Sequence, residues 1–179
     1  TNIMEGVTSL GNMLRPIYYQ PSLMWSIREE FEFVKNYANI MNYRYGEEVR
    51  FVYEVEEQLL QCQTLRFMLQ PLVENALVHG KSSKGMIIVS AKESDGDIVM
   101  AVFDTRGGMK PGAAEEVNRK IQLDAVERNS KGIGLYNVNK RIRLHFGDRY
   151  GLSVESDGET TRVSMVIPML KDEGVVQNS

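Results

Sequence analysis

Three short segments of this chain carry side chains of the kinds that bind ligands. In Glu74-Asn75-Ala76-Leu77-Val78-His79-Gly80, Asn75 and His79 lie four apart and share a helical face, with Leu72, Ala76 and Leu77 assigned to other sides. An Asn carbonyl oxygen suits a hard cation such as Mg2+, which takes oxygen ligands, keeps several waters and leaves room for phosphate oxygens. In Phe103-Asp104-Thr105-Arg106-Gly107-Gly108-Met109 an apolar strand ends in a carboxylate beside two glycines. Such a carboxylate can accept a hydrogen bond from the exocyclic amine of a ring lying in a cleft, and adenine is such a ring. In Ser130-Lys131-Gly132-Ile133-Gly134-Leu135 two glycines open a helix. Backbone N–H groups at a helix start lack intrahelical partners and glycines let an anion approach them, which makes a phosphate cradle to which Lys131 adds charge. The segment is not a Walker sequence, since the Gly-Lys-Ser/Thr ending is missing, and it does not follow a strand as a Rossmann fingerprint does. Each segment alone also reads as ordinary structure: a loop cap at Asn75, a helix-terminal His79, a turn at Asp104, glycines at a loop–helix junction. In this order they supply metal, base and phosphate contacts, so a nucleotide site is the leading reading.

The elements that must position these groups follow from hydrophobic spacing. Residues 1–24 carry two Gly and two Pro and a weak helical pattern from Val7 to Leu14 that Pro16 is expected to stop, giving a stub or linker. From Trp25, the steps Ile27, Phe31, Val34, Ala38 and Met41 predict one long helix ending at Tyr45-Gly46. Val49 to Val55 alternates as a strand, and Leu65 to Leu77 returns to helical spacing up to His79, with Pro71 expected to kink or restart that helix. Met86–Ala91 and Ile98–Phe103 predict antiparallel strands across an Asp95-Gly96 hairpin. Residues 105–132 predict a mobile loop with a short helix, since Val117, Ile121 and Val126 make no convincing apolar face. Leu135, Val138, Ile142 and Phe146 predict a helix stopped at Gly147, followed by strands Gly151–Ser156 and Thr161–Ile167. The expected fold is a two-layer α/β sandwich, a mixed sheet with helices on one face. Residues 1–24 stand outside the domain at 25–170, and 171–179 form a frayed tail.

Composition narrows the function classes. Acidic side chains number 24 against 21 basic, a net charge of −3 on 179 residues of which 42% are apolar. These values exclude a collagen, a disordered acidic tail and a basic nucleic-acid arm, so no nucleic-acid partner is expected. The length fits one domain. Cys62 is the single cysteine, which forbids an internal disulfide and points to a reducing cytoplasm. No apolar run approaches the roughly 18 residues of a membrane span, and residues 1–24 lack the marks of a signal peptide. The chain begins with Thr1 and reads as a piece of something longer, which leaves room for a membrane segment upstream.

The same segments resemble the N, G1 and G2 boxes of the GHKL ATP-binding superfamily of gyrases, heat-shock chaperones and histidine kinases. Leu69-Gln-Pro-Leu-Val-Glu-Asn-Ala-Leu-Val-His-Gly80 is similar to the N box of LytS/YesM-type sensor histidine kinases, and Gly132-Ile-Gly-Leu-Tyr-Asn-Val138 with Arg141 to their G2 box. Glu29-Glu-Phe-Glu-Phe-Val-Lys-Asn-Tyr-Ala-Asn-Ile-Met-Asn-Tyr-Arg-Tyr-Gly46 resembles the helix leading into that catalytic domain, and the likeness runs from about residue 7 to Pro168. What the resemblance implies is a Bergerat-type sandwich that binds ATP with Mg2+ beneath a lid at about 107–132. It implies transfer of the γ-phosphoryl group to a histidine on a separate dimerisation helix. By position, Asn75 would ligate Mg2+, His79 would line the phosphate side, Asp104 would meet the adenine amine, and Gly108 would flank the ring. Gly132 and Gly134 would hold phosphates, Thr161 would stand near the adenine, and Met109, Lys131 and Leu135 complete the implied nucleotide contacts. The implied partners are the protein's own dimerisation and phosphoacceptor domain, a second copy of the intact chain and a response regulator. The implied location is the cytoplasmic part of a membrane-anchored sensor.

Departures from the family pattern set the expectations to be tested. The usual Asp-x-Gly-x-Gly appears as Asp104-Thr105-Arg106-Gly107-Gly108, so Arg106 stands at the first glycine, where lost backbone freedom is expected to alter the lid or weaken nucleotide binding. Thr160 replaces the glycine that normally precedes the matching threonine. Neither His79 nor His145 has the His-Phe setting of the family's phosphoacceptor, so the acceptor lies outside this segment; residues 7–15 resemble the end of the second dimerisation helix. Glu74 points about 100° away from Asn75 on a helix and is not read as a general base. His145 is read as a dipole-stabilised or half-buried residue. Two rival readings stay open: a degenerate, non-catalytic GHKL interaction module, and an anti-sigma-type kinase acting on serine.

Overall fold

The computed structural model describes residues 3–19, 22–45, 49–80, 84–123 and 132–171. Gly46, Val126, Lys131 and residues 172–179 of the expected tail lie outside the described residues, whereas Lys171, expected to fray, ends a strand that pairs with Cys62. Alternation along four strands builds the main layer: β4 (Met86–Ser94), β5 (Asp97–Asp104), β6 (Gly151–Ser156) and β7 (Thr161–Pro168). In β5, Ile98, Met100 and Val102 are buried on one face; by register they stand beside Val89 and Ala91 of β4 and Val163, Met165 and Ile167 of β7. With β2 (Arg50–Val55), which runs parallel to β4, they form a mixed sheet in the order β2-β4-β5-β7-β6. The β4–β5 hairpin turns through Asp95 and Gly96, both at positive φ, 52° and 81°, the conformation a two-residue turn of that hand demands.

Helices cover the buried face of this sheet. Phe31, Val34 and Tyr37 of α2 (Ile27–Tyr45), Leu69, Leu72, Val73 and Ala76 of α3 (Leu69–His79), and Leu135, Val138 and Ile142 of α5 (Ile133–Phe146) join the strand residues in one core. The two-layer α/β sandwich expected from the pattern is the architecture found. Between the layers' ends lies α4 (Ala113–Gln122), which buries Ala114 and Ile121 and sets Asn118 against the edge strand β6. Asn118 donates to the Val154 carbonyl and accepts from the Val154 amide, both at 2.8 Å, so a side chain satisfies backbone groups the sheet leaves unpaired.

Several expectations are corrected. Helix α1 (Ile3–Tyr19) passes through Pro16, which removes a single i to i−4 bond and does not end the helix. Trp25 belongs to strand β1 (Met24–Ser26), two residues before α2 begins. Leu65 ends strand β3 (Cys62–Leu65) and is not helical; the chain reverses at Phe67, whose φ is +61°, and α3 starts at Leu69. Pro71 therefore sits in the first turn of α3, where its missing N–H removes no helix bond. Strands β1, β3 and β8 (Leu170–Lys171) form a second, small antiparallel sheet that periodicity did not announce. Cys62 is buried within it and its thiol titrates above the usual range because burial penalises the thiolate. Among the described residues no helix is long and apolar enough to cross a membrane.

Candidate functional site

Strand alternation decides where Asp104 points. It continues the Ile98, Met100, Val102 series, so the carboxyl at the end of β5 faces the helices and is 4% exposed. Thr161, its registered neighbour at the start of β7, lies on the same face and donates from Oγ1 to the Gly107 carbonyl at 3.2 Å. From the opposite layer α3 presents Leu72, Asn75, Ala76 and His79, an i, i+3, i+4, i+7 stripe. This corrects the expectation that Leu72 and Ala76 turn away from Asn75: all four line one cavity, with the apolar pair forming its wall. Val102, Val163, Gly107, Gly108 and Met109 close that cavity. It encloses about 30 Å3, room for about two waters.

Gly108 is a glycine for reasons of space. A Cβ there would overlap the backbone of Gly158 and Glu159 in the β6–β7 turn. That turn is itself fixed: Asp157 Oδ1 accepts from the Glu159 amide and from the Thr160 amide and hydroxyl, holding its pKa below the usual carboxylate range. Ser156 Oγ donates to the Thr160 carbonyl at 2.6 Å and accepts from the Met109 amide at 2.9 Å, tying the turn to the segment after Asp104. Thr160 is thus built into an Asx turn.

A second cavity adjoins the first, because Asn75 and His79 border both. Its other walls are Pro71, Glu74, Val78 and the first residues of α5: Gly132, Ile133, Gly134 and Leu135. Gly132 adopts φ +95°, and its carbonyl accepts the first helical bond, from Tyr136 at 3.0 Å. The amides of Ile133, Gly134 and Leu135 have no intrahelical acceptor at a helix start, and α5 has no N-cap side chain. Asn75 is half-buried and His79 exposed. Glu74 is exposed and also borders this cavity, which helical projection from Asn75 alone did not anticipate. The structure therefore brings Asn75, His79, Asp104, Gly108, Met109, Gly132, Gly134, Leu135 and Thr161 around two joined cavities; Lys131 lies outside the described residues. His145 is exposed, with its ring edge against Phe146, rather than half-buried.

Arg106 does not behave as a lost glycine. Its φ is not positive, so the backbone there needs no glycine, and its side chain folds inward. Its amide and Nε both donate to Asp104 Oδ1 at 2.9 Å, Nη2 donates to Oδ2 at 3.1 Å, and Nη2 also reaches the Ala76 carbonyl at 2.7 Å. Gly80 and Gly85 make room, since a Cβ on Gly80 would overlap the guanidinium and one on Gly85 would crowd Arg106 Cγ.

Spacing also missed Glu30, a fully buried carboxyl of α2 at the start of α3. Oε1 accepts from the amides of Met68 and Leu69 at 2.6 and 2.7 Å, and Oε2 from the Phe67 amide at 2.9 Å and the Trp25 indole at 2.5 Å. Helix α3 has no N-cap side chain of its own, and Glu30 supplies the acceptor. Burial outweighs these donors and pushes the carboxyl up to about 7. Arg141 of α5 donates to the Arg66 carbonyl at 2.9 Å, so the same connector anchors both helices of the site.

The chain is similar in sequence and fold to known proteins. The family model described as histidine kinase-, DNA gyrase B-, and HSP90-like ATPase matches residues 62–171, and the histidine kinase model matches residues 1–49. The sensor histidine kinase YesM of Bacillus subtilis is 31% identical over 170 residues, covering 93% of this chain and 28% of YesM. Full-length ShkA in complex with AMPPNP superposes with a TM-score of 0.59 at 16% identity, covering 94% of this chain and 36% of that one. Histidine kinase ThkA in complex with response regulator protein TrrA gives 0.59 at 14% identity, covering 93% and 49%. The chain spans between 24% and 28% of the length of the sensor histidine kinases YesM, YpdA and BtsS that it matches. With the family model covering more than half of the chain and the fold and boxes agreeing with it, the chain belongs to the histidine kinase-, DNA gyrase B- and HSP90-like ATPase family.

Proposed function

We propose that this domain binds ATP with Mg2+ across the two joined cavities and donates the γ-phosphoryl group to a histidine on a dimerisation helix of the intact protein. The observation that carries the reading is that Asn75 and His79 line both cavities, with an acceptor for an amine in one and a helix N-terminus in the other. In it, Asp104 accepts from the adenine amine, Thr161 and Met109 border the ring, and the amides of Gly132, Gly134 and Leu135 receive phosphate oxygens. Among the described residues no three His, Cys, Asp or Glu side chains converge on a metal site. That donor set fits a cation held chiefly by phosphates and water, with the Asn75 carbonyl oxygen as its protein ligand. When bound, Mg2+ would neutralise charge on the transferring phosphoryl group. The chain's own work is to orient the nucleotide and to exclude water from the base.

The same reading proposes that the intact protein dimerises, hands phosphate to a response regulator and sits on the cytoplasmic side of a membrane-anchored sensor. In support, Ile3, Val7, Leu10 and Leu14 form an exposed apolar stripe with 4, 3, 4 spacing on α1, the face away from α2. A thermal titration tests nucleotide binding: Mg-ATP at 100 times its dissociation constant should add about 2.7 kcal/mol of stability. Asn75→Ala and Asp104→Ala should abolish the shift. Incubating the intact protein with labelled ATP should yield acid-labile phosphohistidine; acid-stable phosphoserine on a partner would favour the serine-kinase alternative. The small free volume of the base cavity favours one second reading, a non-catalytic interaction module, to which unchanged stability with millimolar Mg-ATP would point.

A further inference from the structure

We infer that the free edge of β2 is a docking strand for a second copy of this chain, which pairs with it antiparallel across a two-fold axis at Val52. The main sheet ends in two edges, β2 and β6, and the fold treats them differently. At β6 the Asn118 side chain meets both main-chain groups of Val154. At β2 the Glu56 amide donates to the Ala91 carbonyl at 3.1 Å. Alternation therefore turns the main-chain groups of Val52 and Glu54 toward β4 and those of Phe51, Tyr53 and Val55 toward the edge. No hydrogen bond among the described residues reaches these outward groups. No residue of β2 lines either cavity, so paired copies would keep both sites open.

The residue order around Val52 selects the occupant. Outward groups must meet outward groups, so the registers open to two copies differ in steps of two residues. Centred on Val52, Phe51 of each copy stands opposite Tyr53 of the other. These pairs exchange their main-chain bonds and set aromatic against aromatic on the side of the sheet where Ile87 and Val89 are buried. On the open face Val52 meets its own copy, and Arg50 of each chain meets Glu54 of the other. A shift to the next register either way sets Val52 against Glu54 or Arg50 and loses both ion pairs. Glu56 is a poor substitute partner for Arg50, because its carboxylate already accepts from the Glu93 amide and from Gln58. An edge guarded by one sign of charge repels its copy. Here opposite signs flank Val52 at equal distance, both on exposed residues, and the contact of Glu54 within its own chain is a 3.8 Å approach to the exposed Lys92.

The test is sedimentation and amide hydrogen exchange of the chain carrying Val7→Glu and Leu10→Glu, which removes any association through α1. A strand pair this short is a small, transient interface, so the series runs up to roughly millimolar protein. The Phe51 and Tyr53 amides should exchange severalfold more slowly at the highest concentration than at the lowest, while those of Val52 and Glu54, already bonded to β4, should not change. Arg50→Glu alone or Glu54→Arg alone should weaken the association about tenfold, since each turns two attractions into two repulsions. Arg50→Glu combined with Glu54→Arg should restore it, a recovery that damage to folding could not produce. A folded chain that stays monomeric throughout, Phe51 and Tyr53 amides that ignore concentration, or a double variant no better than the single ones overturns the docking strand. None of these outcomes bears on the nucleotide reading, which the Mg-ATP titration decides separately.

Discussion

Glu30 of α2 accepts the Leu69 amide at 2.7 Å and so holds the first turn of the helix that carries Asn75 and His79. Its carboxyl titrates at about 7 in the fold against 4.5 unfolded, because burial penalises its charge more than four donors favour it. The folded state therefore binds the extra proton between these values. Stability from this group is greatest below about 4.5, falls as pH rises, and levels above about 7, at a slope of up to roughly 1 kcal/mol per pH unit. Glu30→Gln should be less stable at every pH, since one carbonyl oxygen cannot serve all four donors, by about 1–3 kcal/mol. It should also lose the slope. Urea midpoints of both proteins from pH 4.5 to 8 decide this, and parallel curves would show that Glu30 does not titrate there.

Gly108→Ala should damage the site through the turn behind it. The new Cβ would meet the Gly158 and Glu159 backbone, which cannot rotate aside as a side chain could. Because Met109 is bonded to Ser156 across the same contact, the segment and the turn must separate together. A loss of about 1–3 kcal/mol is expected, typical of overpacking. Chemical denaturation measures the loss, and the Mg-ATP stabilisation should shrink in the same samples.

How far the sequence could be read depended on whether local pattern or tertiary contact made the decision. The α5 stripe at Leu135, Val138 and Ile142 and the Asp95-Gly96 turn are local and were legible. The extension of the Ile98 series to Asp104 is local too, and it fixes where the carboxyl points. Strand β3 was hidden because Leu65, Met68, Leu69 and Leu72 keep helical steps across a chain reversal. That reversal rests on Phe67, an aromatic residue held at φ +61° by packing against Trp25 and Phe33, which no rule for residue types anticipates. Arg106 was read as an eroded glycine because a one-residue comparison cannot see that Gly80 and Gly85 open space for it. Asn139 gave no signal at all, yet it is 2% exposed and accepts the Leu152 amide at 2.9 Å.

The α1 stripe gives a prediction about assembly. Ile3, Val7, Leu10 and Leu14 are 42–67% exposed, a contiguous apolar stripe of the kind that marks an association surface. Val7→Glu with Leu10→Glu should convert a dimer of the intact protein to monomer in sedimentation while leaving the domain's own unfolding free energy within about 0.5 kcal/mol. A dimer that survives both charges would place the association elsewhere.

Gly132 and Gly134 stand two residues apart at the start of α5, and the fold treats them differently. Gly132 holds φ +95°, so Gly132→Ala imposes backbone strain of about 1–2 kcal/mol whatever the ligand does. Gly134 is helical, and its Cβ would meet only the Pro71 side chain at 3.6 Å, an ordinary contact. Gly134→Ala should therefore keep stability or gain up to about 1 kcal/mol from helix propensity. It nonetheless adds a methyl group at a wall of the second cavity, where phosphate would approach the backbone. A Gly134→Ala protein as stable as the unmodified chain, with its Mg-ATP response weakened at least tenfold, would separate a ligand role from a folding role at that position. An undiminished response would move the phosphates away from this helix end.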